Sequence, residues 1–397
     1  MDFGRRTLFT SMGALAAGNA LMGELIGADN NPASQVSDRT STIRITGIKT
    51  IPVQRKIFVR IDTNHGVSGW GEVEQLERHS ATALIQSIFE LLNGENPTRI
   101  EYLWQKLFRS HRDLRGGPYM VHTLSGIDMA LWDLTGKLWG VPVHRMLGGP
   151  TRDKIRVYPS PTAAKPGCGT PTEFTATPGE IQRWVDYIQG ERKRVGPDGV
   201  VIFDAHCAMP PPFLIQLAAA LKPSDVIFLE EVAVPGNIEV FKRLKQSITI
   251  PLATGERDRT IWEFIPYLQE RCIDVLQPDC AHCGGISQMK KIAVLAEAYH
   301  VPLAPHCITT DLGASASLHV AASIPFFIIH EYYPNHTPEG SMTKKWTVDK
   351  DGYASIPDGP GLGVEINEAK LEELSKQPYQ AEWPTRGRLK DGSISDY

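Results

Sequence analysis

The sequence predicts an α/β chain, a parallel (β/α) barrel preceded by an α+β region, and two observations carry that reading. Asp204, Glu230, Glu256, Asp279 and His306 recur at steps of 26, 26, 23 and 27 residues, and Glu331 stands 25 further on. Each follows a short, largely apolar run, at 200–203, 226–229, 248–253, 273–276, 301–304 and 326–329. Such runs read as strands buried on both faces, as in a parallel sheet. A step of about 25 residues holds one strand and one crossover helix. When consecutive βα units close into a barrel, groups at the carboxyl ends of the strands converge on one mouth. Polar residues that merely end strands account for one or two of these positions, not for a register kept over successive strands.

The remaining elements follow in order. Residues 42–75 read as β, with runs at 43–53 and 57–61, a turn cluster at 62–66 and a further strand from Val67 to Glu72. The period turns helical over 81–92, 100–109 and 121–139, and Gly148-Gly149-Pro150 ends this α+β region. Residues 155–158 open the repeating part. Its helices fall at 212–221, 238–245, 261–270, 286–298 and 314–322, with a kink expected at Pro266. The expected divisions are a signal and linker (1–40), an α+β cap (41–150), the barrel (151–355) and a C-terminal segment (356–397) that packs back on the cap.

One stretch breaks the pattern. A full barrel needs a helix, a strand and a helix between Tyr158 and Val200. Pro159, Pro161, Pro166, Pro171 and Pro178 crowd that interval, and a helix interior tolerates none of them well. Only 179–195 reads as helix, with 173–177 as a remnant of the second strand. The first crossover helix is therefore expected to be lost or shortened.

At 397 residues and 42% hydrophobic the chain can bury the cores of about two domains. A net charge of −4 implies no general attraction to nucleic acid or to an anionic membrane. No apolar run of membrane-spanning length lies beyond the N-terminus. Arg5-Arg6-Thr7-Leu8-Phe9, followed by an Ala- and Gly-rich apolar stretch, resembles a twin-arginine signal. Export to the periplasm is the expectation and a cytoplasmic location the alternative. The six cysteines (Cys168, Cys207, Cys272, Cys280, Cys283 and Cys307) are too sparse for a disulfide scaffold and read as small buried thiols.

Asp204, Glu230 and Glu256 offer hard oxygen donors. Three carboxylates in one pocket raise each other's pKa unless a cation neutralises them, and all-oxygen ligation favours Mg²⁺. Such an ion stabilises the dianion formed when the carbon beside a carboxylate loses its proton. His306, with Asp279 one strand earlier to fix its tautomer, suits a general base. His206, two residues after Asp204, lies on the same face and suits an acid for a leaving hydroxyl. Glu331 suits a hydrogen bond to a substrate oxygen. His282 and His330 read as structural histidines.

Asp204-Ala-His206, Leu229-Glu230-Glu231, Ala253-Thr-Gly-Glu256, Gln277-Pro-Asp279 with Gly284-Gly285, and Pro305-His306 resemble the mandelate racemase/muconate-lactonising branch of the enolase superfamily. Gly69-Trp-Gly-Glu72 and the stretch 357–364 match its capping region, so the resemblance covers nearly all of 42–370. It implies an α+β cap over a modified (β/α)7β barrel, bound Mg²⁺, and abstraction of a proton α to a carboxylate. The Asp-x-His motif is similar to that of the sugar-acid dehydratases of galactonate, gluconate and mannonate type. By that resemblance Asp204, Glu230 and Glu256 hold Mg²⁺, His306 with Asp279 is the base, His206 is the acid and Glu331 stabilises the enediolate. A small sugar acid is then the partner, and homo-oligomers are common in the family.

Three departures stand out. The second-strand Lys-x-Lys of racemases is absent, Val232 replaces a usual proline, and the segment 159–179 is short. The first argues against a two-base racemase, and the last supports a non-catalytic relative; that relative, or a member with racemase or epimerase activity, is the alternative. A zinc hydrolase on a barrel is less favoured, because no His-x-His stands at an early strand end.

Overall fold

The computed structural model describes residues 42–110, 112–113, 115–166, 177–379 and 391–394. Met1–Ile43 and Arg44–Tyr397 are separate compact units. Only Thr42 and Ile43 of the first are described, so the twin-arginine motif and the linker lie outside the described residues.

An antiparallel sheet of β1 (Ile45–Val53), β2 (Lys56–Thr63) and β3 (Ser68–Val73) opens the second unit. Helices α1 (Arg78–Ile88), α2 (Ile100–Ser110) and α3 (Pro118–Trp139) follow, then the short α4 (Val143–Met146). Glycines let α3 lie against β3. A Cβ on Gly71 would sit 1.9 Å from the Gly126 carbonyl oxygen and one on Gly69 2.1 Å from that of Ala130. Close contact therefore explains Gly69-Trp-Gly-Glu72. Its glutamate, fully buried, accepts from the Thr310 N–H at 3.0 Å and so pins the chain just after His306.

The barrel strands are β4 (Lys154–Tyr158), β5 (Ala163–Ala164), the consecutive β6 (Val200–Val201) and β7 (Phe203–Asp204), β8 (Leu229–Glu230), β9 (Leu252–Thr254), β10 (Val275–Leu276), a bridge strand at Leu303, and β11 (His330–Glu331). Parallel pairing runs from β5 to β6, from β7 through β8 and β9 to β10, on through Leu303 to Phe327, and from β11 to β4. Tyr158, Ala163, Val200, Ile202, Phe228, Ala253, Val275, Ala304 and Ile329, in or beside these strands, pack into a single buried cluster that floors the mouth. The helices are α5 (Pro178–Val195), α6 (Pro211–Leu221), α7 (Ile238–Ser247), α8 (Thr260–Gln269), α9 (Gly285–Ala298) and α10 (Asp311–Ala322). α8 runs on past Pro266 to Gln269.

The irregular stretch resolves differently from the expectation for its second strand. Only four residues, 159–162, separate β4 from β5, and it is Ala163–Ala164 that pairs with Val200–Val201. The position expected for 173–177 is thus filled ten residues earlier. Of that segment only Thr177 is described, and it caps α5 by accepting from the Glu180 N–H. Two alanines between prolines are too short a run to read as a strand. Neighbouring strands supply the hydrogen bonds that fix them.

The C-terminal segment reaches back to the first sheet. Lys49 pairs with Glu368 on α11 (Glu368–Ser375) at 2.7 Å, and Asp133 of α3 accepts from the Trp70 and Leu362 N–H groups, each at 2.8 Å.

Candidate active site

A cavity of about 690 Å³ opens at the carboxyl ends of the strands, lined by His206, Glu256, His306 and Glu331 from the barrel and by Gln75 and His122 from the cap. Asp204, Glu230 and Asp279 are almost fully buried beside it. Backbone geometry serves this placement. Gly255 has φ +141°, and a Cβ there would meet the Gln277 backbone nitrogen at 2.9 Å, so only glycine lets the chain turn from β9 to Glu256. His206, Cys207 and Glu231 hold φ of 47°, 56° and 52°, a left-handed conformation that costs about 1–3 kcal/mol per residue and clusters at functional sites. The Cys207 N–H donates to the Glu231 carbonyl at 2.7 Å, tying the two bends together.

One side of the mouth is organised by a residue that sequence reasoning missed. Lys165, one residue beyond β5, places its Nζ 3.1 Å from Asp204 Oδ2, 2.6 Å from Glu230 Oε1 and 2.7 Å from Glu331 Oε1. Burial disfavours its charge, but the three carboxylates hold its pKa well above 10.5. Burial would also raise Asp204, yet Lys165 and a hydrogen bond from His206 keep it below the usual carboxylate range. In Glu230 burial wins over Lys165, reinforced by Asp204 and Glu331, and the carboxyl is pushed up to about 7. A signal for Lys165 existed. Ala164-Lys165-Pro166 sets a polar side chain after a small apolar residue beside a proline, much as Ala304-Pro305-His306 does.

The other side is imidazole. His306 Nδ1 lies 2.7 Å from Asp279 Oδ2, while its Nε2 faces Glu256 Oε2 at 3.4 Å and Glu331 Oε2 at 3.6 Å. Burial lowers the pKa of His306, but Glu256, Glu331 and Asp279 together raise it well above 6.5. His282, expected to be structural, belongs to this side. It lines the cavity, its ring stacks 4.4 Å from His122, and its Nδ1 contacts the Glu256 carbonyl oxygen at 2.9 Å. His122 comes from the cap, and burial first, then the His282 charge, push its pKa down to about 3. His330 is structural, buried with Nε2 2.8 Å from Ser317 Oγ.

Each expected site residue thus stands at the mouth, but the three carboxylates expected around one cation do not all close together. Asp204 and Glu230 meet at Lys165, whereas Glu256 lies by His306. The ammonium gives the first two a counter-charge, and Glu256 finds its own in the imidazole. Among the described residues the group of His, Cys, Asp and Glu side chains close enough to share a metal is Asp279, His282 and His306, with ligand atoms within 4.8 Å. One nitrogen of each ring is engaged, His306 Nδ1 with Asp279 and His282 Nδ1 with the Glu256 carbonyl, so it reads as a hydrogen-bonded set. The oxygen donors lie at Asp204, Glu230 and Glu256. Glu230 Oε2 is buried there with no hydrogen-bond partner among the described residues, which leaves it open to a cation or a water. His206 Nε2 contacts Asp204 Oδ2 at 2.8 Å. Cys280, Cys283 and Cys307 are buried free thiols whose pKa burial raises well above 9.0. Cys168 lies outside the described residues.

Comparison with known proteins places this geometry. Residues 20–148 match the family described as mandelate racemase/muconate lactonizing enzyme, N-terminal domain, and residues 154–370 match enolase C-terminal domain-like. A D-galactonate dehydratase of Xanthomonas axonopodis pv. citri is 34% identical, the match covering 89% of this chain and 99% of that protein. One of Variovorax paradoxus is 32% identical over 89% of this chain and 100% of its own. A solved member of the enolase superfamily from Salmonella Typhimurium superposes with a TM-score of 0.79 at 27% identity, covering 83% of this chain and 98% of that one. A mandelate racemase/muconate lactonizing enzyme from Sulfitobacter sp. gives 0.78 at 27% identity, covering 86% and 97%.

Proposed function

Because the chain belongs to the mandelate racemase/muconate lactonizing enzyme branch of the enolase superfamily, we propose that it is a hydro-lyase that dehydrates a sugar acid, converting a 2,3-dihydroxy acid to a 2-keto-3-deoxy acid. The observation that carries the reading is the His306–Asp279 pair, which leaves Nε2 facing an acid-lined cavity.

In this reaction His306 Nε2 takes the proton from C2, and Asp279 holds the imidazole by its other nitrogen. The C2 electron pair moves into the carboxylate to give an enediolate. Collapse of the enediolate expels the 3-hydroxyl, which takes a proton from His206 and leaves as water. The resulting enol becomes the keto acid. Asp204, Glu230 and Glu256 are the proposed Mg²⁺ ligands, and the unpartnered Glu230 Oε2 supports that choice. When bound, the ion supplies charge against the enediolate. Glu331, which also accepts from the Cys307 N–H at 3.1 Å, is fixed where it borders both Lys165 and His306.

An epimerase would use Lys165 as a second base. Glu331, 2.7 Å away and outside the proposed metal set, remains to pair that nitrogen as an ammonium, and this disfavours the reading. We also propose export through the twin-arginine segment, on its sequence alone. The test of the main proposal is a screen of hexonates and pentonates with Mg²⁺, assayed for keto acid and for exchange of the C2 proton in D₂O. Inertness in both assays across the set contradicts it.

A further inference from the structure

The ammonium of Lys165 stands between two carboxylates that the proposed function gives to a divalent cation. Its distances to Asp204 and Glu230 are 3.1 and 2.6 Å, and its third partner, Glu331 at 2.7 Å, is not among the proposed ligands. The lysine side chain is 6% exposed, so water screens the cluster little. Mg²⁺ requires oxygens at about 2.0–2.1 Å in near-octahedral order. An ammonium left between the same two carboxylates would stand close to the ion, where like charges in a site little screened by water repel strongly.

We infer that Lys165 is an exchangeable internal counter-ion. It gathers Asp204, Glu230 and Glu331 while no divalent cation is bound, and withdraws onto Glu331 when one takes Asp204 and Glu230. The inference rests on the metal reading above and goes beyond it. The short link to β5 fits this role. It sets Lys165 beside the strand that bears Asp204, so two opposed charges are held at adjacent strand ends. Metal binding then includes the cost of displacing a buried ion pair, and without metal the ammonium offsets part of the charge of the cluster.

The experiment is calorimetric titration of Mg²⁺ into chelator-stripped wild type and Lys165→Met, with thermal melts of both. The expected result is at least tenfold tighter Mg²⁺ binding by the variant, a lower melting temperature without metal, and a larger recovery on adding it. Equal or weaker binding by the variant overturns the counter-ion role alone. Absence of Mg²⁺ binding in both proteins overturns the metal reading on which it rests. If the variant does not fold, the wild type answers through reductive methylation of Lys165 followed by peptide mass spectrometry. Faster labelling in saturating Mg²⁺ than in chelator supports the exchange, and equal or slower labelling overturns it.

Discussion

The two sides of the mouth neutralise their acids by different means. At the ends of β5, β7, β8 and β11 a single ammonium meets the carboxylates of Asp204, Glu230 and Glu331. Across the cavity, at the ends of β9 and β10 and beside Leu303, imidazoles meet Glu256 and Asp279. A lysine so paired keeps its proton, whereas a histidine can pass one on once its acidic neighbours are balanced. The first side therefore holds charge, with His206 beside it as the proposed acid, and the second takes the proton from C2. Glu331 borders both, and Glu256 is the acid that must serve both for a cation to sit within reach of His306.

Substitutions can break this division. The largest effect is expected from His306→Asn, with keto-acid formation falling about 10²–10⁴-fold. Mg²⁺ binding by calorimetry should survive, because the imidazole is not an oxygen donor. Activity retained within tenfold would move the base elsewhere. His206→Asn tests the opposite side. Exchange of the C2 proton in D₂O should persist while keto-acid formation falls about 100-fold, the lower end of an acid's contribution. Loss of both together would mean that His206 also serves the first step.

Asp279→Asn should cost less, about tenfold or more in turnover, and should carry a pH signature. Burial lowers the His306 pKa, and Glu256, Glu331 and Asp279 raise it. Removing one of the raising charges moves the acidic limb of the kcat/KM profile to lower pH. An unmoved limb would show that Asp279 does not act through the imidazole.

The smallest effect lies outside the mouth, where α3 meets the start of α9. Asp128 is buried there, accepts from the Ser287 N–H at 3.0 Å, and is pushed by burial from 3.8 to about 7. A carboxyl raised on folding contributes stability that is complete below its unfolded value and lost as pH rises through its folded value, at most about 4 kcal/mol here. Between pH 5 and 8 the wild type should therefore lose melting temperature relative to Asp128→Asn. Parallel curves for the two proteins would contradict a protonated Asp128.

The barrel and most of its mouth were legible in the sequence because each strand after Val200 ends on a polar residue at a nearly constant step. That register follows from repeating one βα unit, so it survives in one dimension. Lys165 was hidden because its strand is two alanines framed by prolines, defined by pairing with Val200–Val201 and by no pattern of its own. The share of His122 and His282 in the site was illegible for another reason. Cap helices α2 and α3 reach the barrel through long-range contacts such as the Trp104 Nε1–H to the Gly284 carbonyl at 2.9 Å and the Gly284 N–H to Ser125 Oγ at 3.0 Å, across more than 150 residues of chain. The split of the three carboxylates follows from Lys165 pairing with Asp204 and Glu230 while Glu256 faces His306, and the spacing of the acids does not encode that.

The most direct test of the division is a crystal soaked with Mn²⁺ as an anomalous stand-in for Mg²⁺. A single peak bound by Asp204, Glu230 and Glu256, with His306 Nε2 facing the same space and Lys165 drawn to Glu331, is the predicted result. A peak at Asp279, His282 and His306, or none at saturating ion, would contradict it.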